Sequence, residues 1–323
     1  MTNRRSLIAA ALVIGVIVLL FAAGLRPAAA AAGAAPVVFS ISRGESFTGV
    51  IAGLSRAGLI RSSLAAGIFS LFTGSAFSLQ PGEYRLSPAQ SAPALLRELS
   101  SGGGREVSVT IPPDANVYQD DAVLSAALVI PRGALISFAA AQGGGGIEGK
   151  LFPDTYRFFT GSPVAEVVQK MLANFQAKAG PALAQDPANA TSDLIVASIA
   201  EKEVPDPADQ AIVAGILWKR KNAGMPLQVD ATVCYAMQVA DPAGTPDCGA
   251  LDLKINSPYN TYLYKGFPPG PIGSPDISAI EAAARPKRSP YWYYLSDPKT
   301  GKTIYAITLD EQHRNTVKYL ESH

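Results

Sequence analysis

The chain has 323 residues, 48% of them hydrophobic and 16% charged, which is long enough for two ordinary domains with apolar cores. Its 27 basic and 26 acidic side chains give a formal net charge of +1 at pH 7. This balance argues against nucleic acid as a partner, because nucleic-acid-binding domains usually carry a strongly basic surface.

The N-terminus carries an uncharged apolar run, residues 6–25, directly after Arg4 and Arg5. A helix of about 20 apolar residues can cross a bilayer core, and arginines before such a run favour a cytoplasmic N-terminus. The pattern therefore predicts a cytoplasmic tail (1–5), a transmembrane helix (6–25) and a single-pass protein of the plasma (inner) membrane, with its remainder periplasmic or otherwise extracytoplasmic. A cleaved signal peptide is the alternative, because residues 28–32 offer small side chains at a possible cleavage site.

Residues 26–36 are rich in Ala, Gly and Pro and are predicted to form a linker. A strand at 37–41, a helix capped by Ser46, a helix over 62–72 and a return strand at 82–86 should follow. This order, with the segments FSISRGES and IAGLSRAGLI, resembles the LysM module, a small glycan-binding unit of cell-wall proteins. We expect a LysM-like membrane-proximal domain at residues 37–110, with a simple α+β spacer as the alternative.

A further helix, capped by Ser87, is predicted to end near Leu99, and a strand should occupy residues 107–111. From there to the end, turn signals, helical runs and aromatic residues alternate with few long linkers. This pattern indicates one catalytic domain of mixed α+β structure at residues 111–323. The predicted fold class is therefore α+β, with an N-terminal transmembrane helix, a small LysM-like α+β domain and a mixed α+β catalytic domain.

The few histidines and cysteines limit the chemistry that the chain can perform. His313 and His323 are the only histidines, which argues against a histidine-based triad or zinc site and indicates that carboxylates carry the chemistry. We expect no metal and no cofactor. Cys234 and Cys248 lie close in sequence and outside the cytoplasm by the prediction above, where an even number of cysteines favours a disulfide. Two buried free thiols are the alternative.

Glu203 is the best-placed carboxylate for acid–base chemistry. We expect a helix from Asp193 to Glu203, capped by Ser192, in which Glu203 continues an apolar stripe formed by Val196, Ile199 and Ala200. Partial burial and the negative end of the helix dipole should both raise the pKa of this carboxyl. Glu201 points about 200° away around the helix and is the fallback acid. A surface ion pair of Glu203 with Lys202, Lys219 or Arg220 is the alternative.

Several segments between Glu148 and Tyr319 stand out around Glu203, namely EGKLFPDTYRF, ASIAEKE, VAGILWKR, GMPLQVDATVCY, PYNTY and GFPPGPIGSP. Together they resemble the endolytic murein transglycosylases, the YceG-like family. By this resemblance Glu203 is the catalytic residue, although Val204 stands where the family often has threonine. The resemblance implies a membrane-anchored lyase of cell-wall biogenesis that cuts nascent glycan strands at the MurNAc–GlcNAc bond and leaves 1,6-anhydro-MurNAc ends. Peptidoglycan strands and peptidoglycan synthases are the implied partners.

Other residues of these segments suit the walls of a sugar-binding cleft. Gln228 and Asp230 alternate onto one side of an extended segment and could assist Glu203, although Asp230 could equally cap the next helix. Aromatic rings stack on sugar faces, and amide and hydroxyl groups bond to sugar hydroxyls. The predicted substrate-binding residues are Tyr156, Tyr259, Asn260, Thr261 and Tyr262.

Two other functions remain open at this point. A hydrolytic muramidase would need a second carboxylate, because glycoside hydrolases usually use two, and Asp230 or Asp154 could supply it. A non-catalytic peptidoglycan-binding scaffold would need none.

Overall fold

The computed structural model describes residues 2–29, 35–102, 104–142 and 146–321, and the side chains of residues 2–7 are not among those described. Residues 30–34 of the predicted linker and most of the glycine run at 143–146 lie outside these ranges. The fold is α+β, with helices and small two-stranded sheets. The chain forms two compact units. Unit 1 contains residues 1–108, 127–129 and 157–162, and unit 2 contains residues 109–126, 130–156 and 163–323.

The prediction of a transmembrane helix at residues 6–25 is wrong. Over the part of the chain that the structure describes, no helix is both long enough and apolar enough to cross a membrane. The predicted location as a single-pass protein of the plasma (inner) membrane is therefore wrong as well.

Unit 1 is organised around an antiparallel pair of strands, β1 (Val37–Ile41) and β2 (Gly82–Leu86), in which Phe39 lies opposite Tyr84. Two helices connect these strands, and each begins at a serine whose hydroxyl accepts an amide hydrogen three residues ahead. These caps satisfy donors that a helix start otherwise leaves unpaired. The helices of unit 1 are α1 (Thr2–Gly24), α2 (Phe47–Arg56), α3 (Ser63–Thr73) and α4 (Ala92–Ser101), with a 3-10 turn at Ser75–Phe77.

Helix α4 begins later than the sequence pattern predicts. The Ser87 hydroxyl accepts the amide hydrogen of Ala89, which makes a local turn instead of a helix cap. The helix then starts after Ser91, with Pro93 in its first turn, where the fixed φ of proline suits a helix. Apolar residues of β1, β2, α2 and α4 form the core of unit 1, among them Val50, Leu54, Tyr84, Leu95 and Leu99.

Strands β3 (Glu106–Thr110) and β4 (Thr155–Phe159) are neighbours in a second sheet, and β5 (Tyr293–Ser296) pairs antiparallel with β6 (Thr303–Ala306) in a third. The rest of the described part of unit 2 is largely helical. Its helices are α5 (Val117–Ala126), α6 (Ala134–Ala141), α7 (Val164–Lys178), α8 (Gly180–Leu183), α9 (Ala190–Glu203), α10 (Pro207–Asn222), α11 (Asp230–Ala240), α12 (Ile277–Ala284) and α13 (Leu309–Thr316), followed by a π-helical turn at Val317–Glu321.

Helix α9 is the central element of unit 2. Every residue from Leu194 to Ala200 is buried, because α10 and α12 pack against it along with α11 and α8. Its first residue is Ala190, so Ser192 lies inside the helix and does not cap it. The sequence predicted one buried apolar stripe, whereas α9 is buried on all sides over these two turns, including the polar Ser198. Its last residue is Glu203, as predicted, and Val204 continues in extended conformation.

The backbone of Lys287 lies so close to Gly215 of α10 that a substitution at Gly215 tests this packing. A Cβ atom there would overlap the backbone oxygen of Lys287, whose own amide is bonded to the α10 oxygen of Ala211. We expect Gly215→Ala to lower the free energy of unfolding by about 2 kcal/mol, because backbone atoms cannot move aside as a flexible side chain can. Gly180→Ala is the control, since its Cβ would meet only the Gln176 side chain at 3.5 Å. Urea denaturation measures both, and equal stability of the two variants would contradict this packing.

Candidate active site

A cavity of about 910 Å³ opens in unit 2 beside the end of α9. Its volume falls within the range of pockets that bind small molecules or short segments of larger ones. The lining combines carboxylates, cations, amides and tyrosines with small apolar residues. It includes Asp114, Asn116, Tyr118, Asp121, Arg132, Lys202, Glu203, Asp230, Cys234, Tyr235, Gln238, the segment 242–246, Cys248 and Ile272.

The Glu203 carboxyl lines this cavity at the C-terminal end of α9 and is partly buried. Its pKa is raised from 4.5 to about 7, chiefly by burial and also by the negative charge of Asp230, whereas a hydrogen bond with Tyr294 and the charge of Arg220 oppose the rise. The group is therefore close to half protonated at neutral pH. A carboxyl in this state can give up a proton and take one back within a single reaction cycle.

Two groups that the sequence did not single out for catalysis hold this carboxyl. Tyr294 of β5 forms a hydrogen bond with it. The Arg220 side chain is only 6% exposed, and its guanidinium donates to the backbone oxygens of Trp292 (2.8 Å) and Leu227 (2.6 Å). Arg220 therefore joins α10 to the start of β5 and brings a fixed positive charge near Glu203. The alternative of a simple surface ion pair for Glu203 does not describe this arrangement.

Asp230, a second carboxylate, lines the same cavity and is exposed. It is the first residue of α11, so it follows the helix cap position, which Val229 occupies. The hydroxyl of Tyr262 donates a hydrogen bond of 2.5 Å to Asp230. The structure thus brings Glu203 and Asp230 to one cavity, with Tyr262 bonded to Asp230.

Glu201 lies away from the cavity. Its carboxylate accepts the amide hydrogen of Asp276 at 3.2 Å and 3.3 Å and so sits at the start of α12. Burial and the nearby charge of Asp276 raise its pKa to about 8. The intervening Lys202 bonds to both the backbone oxygen and the carboxylate of Asp114 at 2.8 Å. Both glutamates therefore have a raised pKa, but only Glu203 lines the cavity.

Two other predicted substrate-binding residues, Asn260 and Thr261, are buried and bond to the protein's own backbone. Asn260 is fully buried, and its amide nitrogen donates to the backbone oxygens of Leu253 and Ile255. Thr261 is buried too and accepts the amide hydrogen of Val229, which ties the segment to the start of α11. These contacts leave Asn260 and Thr261 no surface for sugar hydroxyls.

Tyr156, Tyr259 and Gln228 also lie outside the cavity lining. Tyr156 is buried and donates to the backbone oxygen of Phe152 at 2.6 Å, and Tyr259 packs against Tyr235 with ring centroids 4.8 Å apart. Gln228 is exposed and has a φ of 52°, a left-handed conformation that is uncommon for residues other than glycine. Asp154, the alternative second carboxylate, is paired with Lys178 at 2.7 Å.

A disulfide links Cys234 of α11 to Cys248, with their Cα atoms 5.2 Å apart. Both cysteines line the cavity, and so do residues 242–246 between them. The intervening loop thus forms part of the site.

A buried acidic cluster lies directly behind the cavity wall. The Glu148 carboxylate is 2% exposed and accepts hydrogen bonds from the Tyr235 hydroxyl (2.8 Å) and the amides of Val117 and Gly149 (3.3 Å each). Burial raises its pKa to about 7. Asp120, fully buried nearby, has no hydrogen-bond partner for either carboxyl oxygen within the described ranges, and burial raises its pKa well above the usual value.

Some of these residues carried a signal in the sequence and others did not. Glu148 opens the segment EGKLFPDTYRF, so it could have been examined as a third carboxylate. Arg220 ends VAGILWKR, but a basic residue near a helix end usually faces solvent. Tyr294 is one of three tyrosines in YWYY, and no local pattern shows which of them reaches Glu203.

A model described as the YceG-like family matches residues 39–318, which is most of the chain. The chain belongs to the YceG-like family. Among solved structures, it is similar to a YceG-like protein from Listeria monocytogenes, with a TM-score of 0.52 and 25% sequence identity, over 86% of this chain and 98% of that one.

Two similar relatives of this YceG-like chain are named endolytic murein transglycosylase. One, from Streptococcus pneumoniae serotype 2, is 26% identical over 324 residues, and the match covers 88% of this chain and 59% of the relative. The other, from Bacillus subtilis strain 168, is 27% identical over 315 residues and covers 88% of this chain and 85% of the relative. The chain thus spans about three-fifths of the pneumococcal protein's length.

Proposed function

We propose that the chain is an endolytic lytic transglycosylase that cuts peptidoglycan glycan strands, with Glu203 as its acid and base. The observation that carries the proposal is the Glu203 carboxyl, which lines the 910 Å³ cavity with a pKa of about 7. Membership of the YceG-like family and the names of its relatives support it.

The reaction begins with protonated Glu203, which donates its proton to the glycosidic oxygen between MurNAc and GlcNAc. The bond from that oxygen to C1 of MurNAc breaks, and GlcNAc leaves with the proton. The C6 hydroxyl of the same MurNAc then attacks C1 and transfers its proton to the Glu203 carboxylate. The product is a 1,6-anhydro-MurNAc end, the acid is regenerated and no water is consumed.

The neighbours of Glu203 have separate tasks in this proposal. Tyr294 orients the carboxyl through its hydrogen bond. Asp230, which accepts the Tyr262 hydroxyl, places a negative charge near the positive charge that develops at C1 when the bond breaks. Tyr118 lines the cavity, is only half-buried and provides an aromatic ring for a sugar face. Asn260, Thr261 and Tyr156 are left out because they are buried.

A hydrolytic muramidase is the second candidate, and one observation favours it. Glu203 and Asp230 line the same cavity, so two carboxylates are present, as most glycoside hydrolases require. Mass spectrometry of the products formed by the full chain from purified peptidoglycan separates the two. Internal fragments with anhydro ends are expected, fragments with reducing MurNAc ends would favour the muramidase, and the absence of fragments would contradict both.

The proposal also includes a glycan-binding role for unit 1 and a peptidoglycan synthase as a partner. Unit 1 has the order strand, helix, helix, strand with its strands antiparallel, which supports a LysM-like glycan-binding role for residues 37–110. Cutting inside nascent strands also requires freshly made glycan, which supports a peptidoglycan synthase as a partner.

Opposite shifts of the pH profile are expected when the two neighbours of Glu203 are changed. The Tyr294 hydrogen bond lowers the pKa of Glu203 and the Asp230 charge raises it. Tyr294→Phe should therefore move the alkaline limb of the kcat/KM profile to higher pH, and Asp230→Asn should move it to lower pH, each on the order of one unit. Shifts in the same direction, or none, would argue that another group sets this limb.

A further inference from the structure

The segment after α11 forms one wall of the cavity. We call residues 241–248 the disulfide loop. Five consecutive residues of this loop, 242–246, line the cavity, as do Cys248 at its end and Cys234 on α11. The loop is largely exposed, so a substrate in the cavity can reach it.

The loop has a defined shape although it contains no helix or strand. The Gln238 amide donates to the backbone oxygens of Asp241 (3.1 Å) and Gly244 (3.0 Å). The Asp241 carboxylate in turn accepts the Gly244 amide hydrogen at 3.2 Å. These bonds fix the first half of the loop, and the Cys234–Cys248 link fixes its end.

Helix α11 connects the loop to the carboxylates. Asp230 and Cys234 are four residues apart on this helix, which places them on one face, and both line the cavity. The disulfide therefore attaches the end of the loop one helical turn from Asp230.

The chemistry of the loop suits binding and not proton transfer. Its cavity-lining residues are Pro242, Ala243, Gly244, Thr245, Pro246 and Cys248. None carries a group that titrates near neutral pH while the disulfide is intact. Proline rings and small side chains can pack against the apolar face of a sugar or an N-acetyl methyl group, and the threonine hydroxyl can bond to a sugar hydroxyl.

We propose that the disulfide loop is a binding wall for a sugar unit next to the one that is cut, and that the Cys234–Cys248 bond holds it ready for substrate. The proposal rests on the glycan-cleaving function above. A loop already in its bound shape loses little conformational entropy when substrate arrives. Without the bond, the loop must be ordered in each binding event, while the groups around Glu203 stay in place. The bond should therefore affect KM and leave kcat unchanged.

The test compares oxidised and reduced protein on purified, uncross-linked glycan strands. Dithiothreitol converts the disulfide to two thiols and is itself oxidised to a cyclic disulfide. We expect reduction of the full chain to raise KM about tenfold and to change kcat less than about twofold. The Cys234→Ser/Cys248→Ser variant should show the raised KM without reductant and no response to it. An unchanged KM after complete reduction, or a fall in kcat alone, would overturn the proposal.

A second pair of variants keeps the disulfide intact and so does not depend on folding without it. Ala243 lines the cavity, whereas Ala250 is exposed just beyond the loop and does not. Ala243→Trp should raise KM about tenfold by filling the binding wall, and Ala250→Trp should not. Equal KM values for these two variants would contradict the proposal. If the oxidised wild-type chain makes no anhydro-ended fragments, the proposed function itself fails. If the chain is active but its KM does not change with these changes to the loop, only the proposal about the loop fails.

Discussion

Glu203→Gln should release anhydro-ended fragments about 10²–10⁴-fold more slowly than the wild-type chain, because general acid–base catalysis contributes about that much. An amide has nearly the shape of the carboxyl, and its oxygen can still accept a hydrogen bond from Tyr294, so the fold should be kept. It cannot give a proton to the glycosidic oxygen or take one from the C6 hydroxyl. Initial rates on glycan strands, with circular dichroism as the check on folding, measure the effect.

Glu201→Gln is the matched control for this experiment. The two glutamates are on the same helix end and both have raised pKa values, but Glu201 bonds to the amide of Asp276 and lies outside the cavity. We expect the Glu201 variant to keep its rate within a fewfold. A normal rate for the Glu203 variant together with loss for the Glu201 variant would transfer the catalytic role to Glu201.

The folded chain should become less stable as pH rises from about 4.5 to about 7, and Glu148 should account for a large part of this loss. Burial raises the pKa of Glu148 from 4.5 to about 7. Between these values the folded chain holds a proton that the unfolded chain has released, so stability is highest on the acid side and falls as pH rises. A shift of this size corresponds to roughly 3 kcal/mol, at about 1.4 kcal/mol per pKa unit.

Glu148→Gln removes the titrating group while its amide oxygen can still accept from Tyr235. The variant should therefore lose less stability between pH 5 and pH 8 than the wild-type chain, as measured by urea midpoints at both values. Comparing the two chains cancels the contributions of Glu201 and Glu203, whose raised pKa values act in the same direction. An identical pH dependence for both chains would show that Glu148 does not hold a proton in the folded state.

Local sequence patterns predicted the elements that depend on neighbouring residues. The strand at 37–41 and the helices that begin after Ser46 and Ser62 are confirmed, because a serine cap and an apolar period are local signals. The end of α9 at Glu203 is confirmed for the same reason, since Val204 and Pro205 do not continue a helix.

Features that depend on residues far apart in the sequence could not be predicted from local patterns. The burial of α9 on all sides follows from α10 and α12, which lie elsewhere in the sequence. Arg220 is buried because the backbone oxygens of Leu227 and Trp292 accept hydrogen bonds from its guanidinium. No local sequence pattern predicts these two contacts. Asn260 looked like a sugar ligand between two tyrosines, but its amide is used by the backbone of its own loop.

The sequence thus pointed to Glu203, which the structure places in the cavity, but it did not predict most of the groups around this carboxyl. Glu203 came from its helix position and from the family segments, and Asp230 and Tyr262 came from the segments alone. The Tyr294 bond, the buried Glu148 and Asp120 and the cavity-lining loop required the structure, because they join parts of the chain that are far apart in sequence.

The central claim is that Glu203 carries a cleavage in which the sugar's own C6 hydroxyl, and not water, attacks C1. The most direct measurement is mass spectrometry of the fragments that the full chain releases from purified peptidoglycan in water enriched in oxygen-18. We expect 1,6-anhydro-MurNAc ends without oxygen-18 from the wild-type chain and almost no fragments from Glu203→Gln. Reducing MurNAc ends that carry oxygen-18, or anhydro ends released equally fast by the Glu203 variant, would contradict the account.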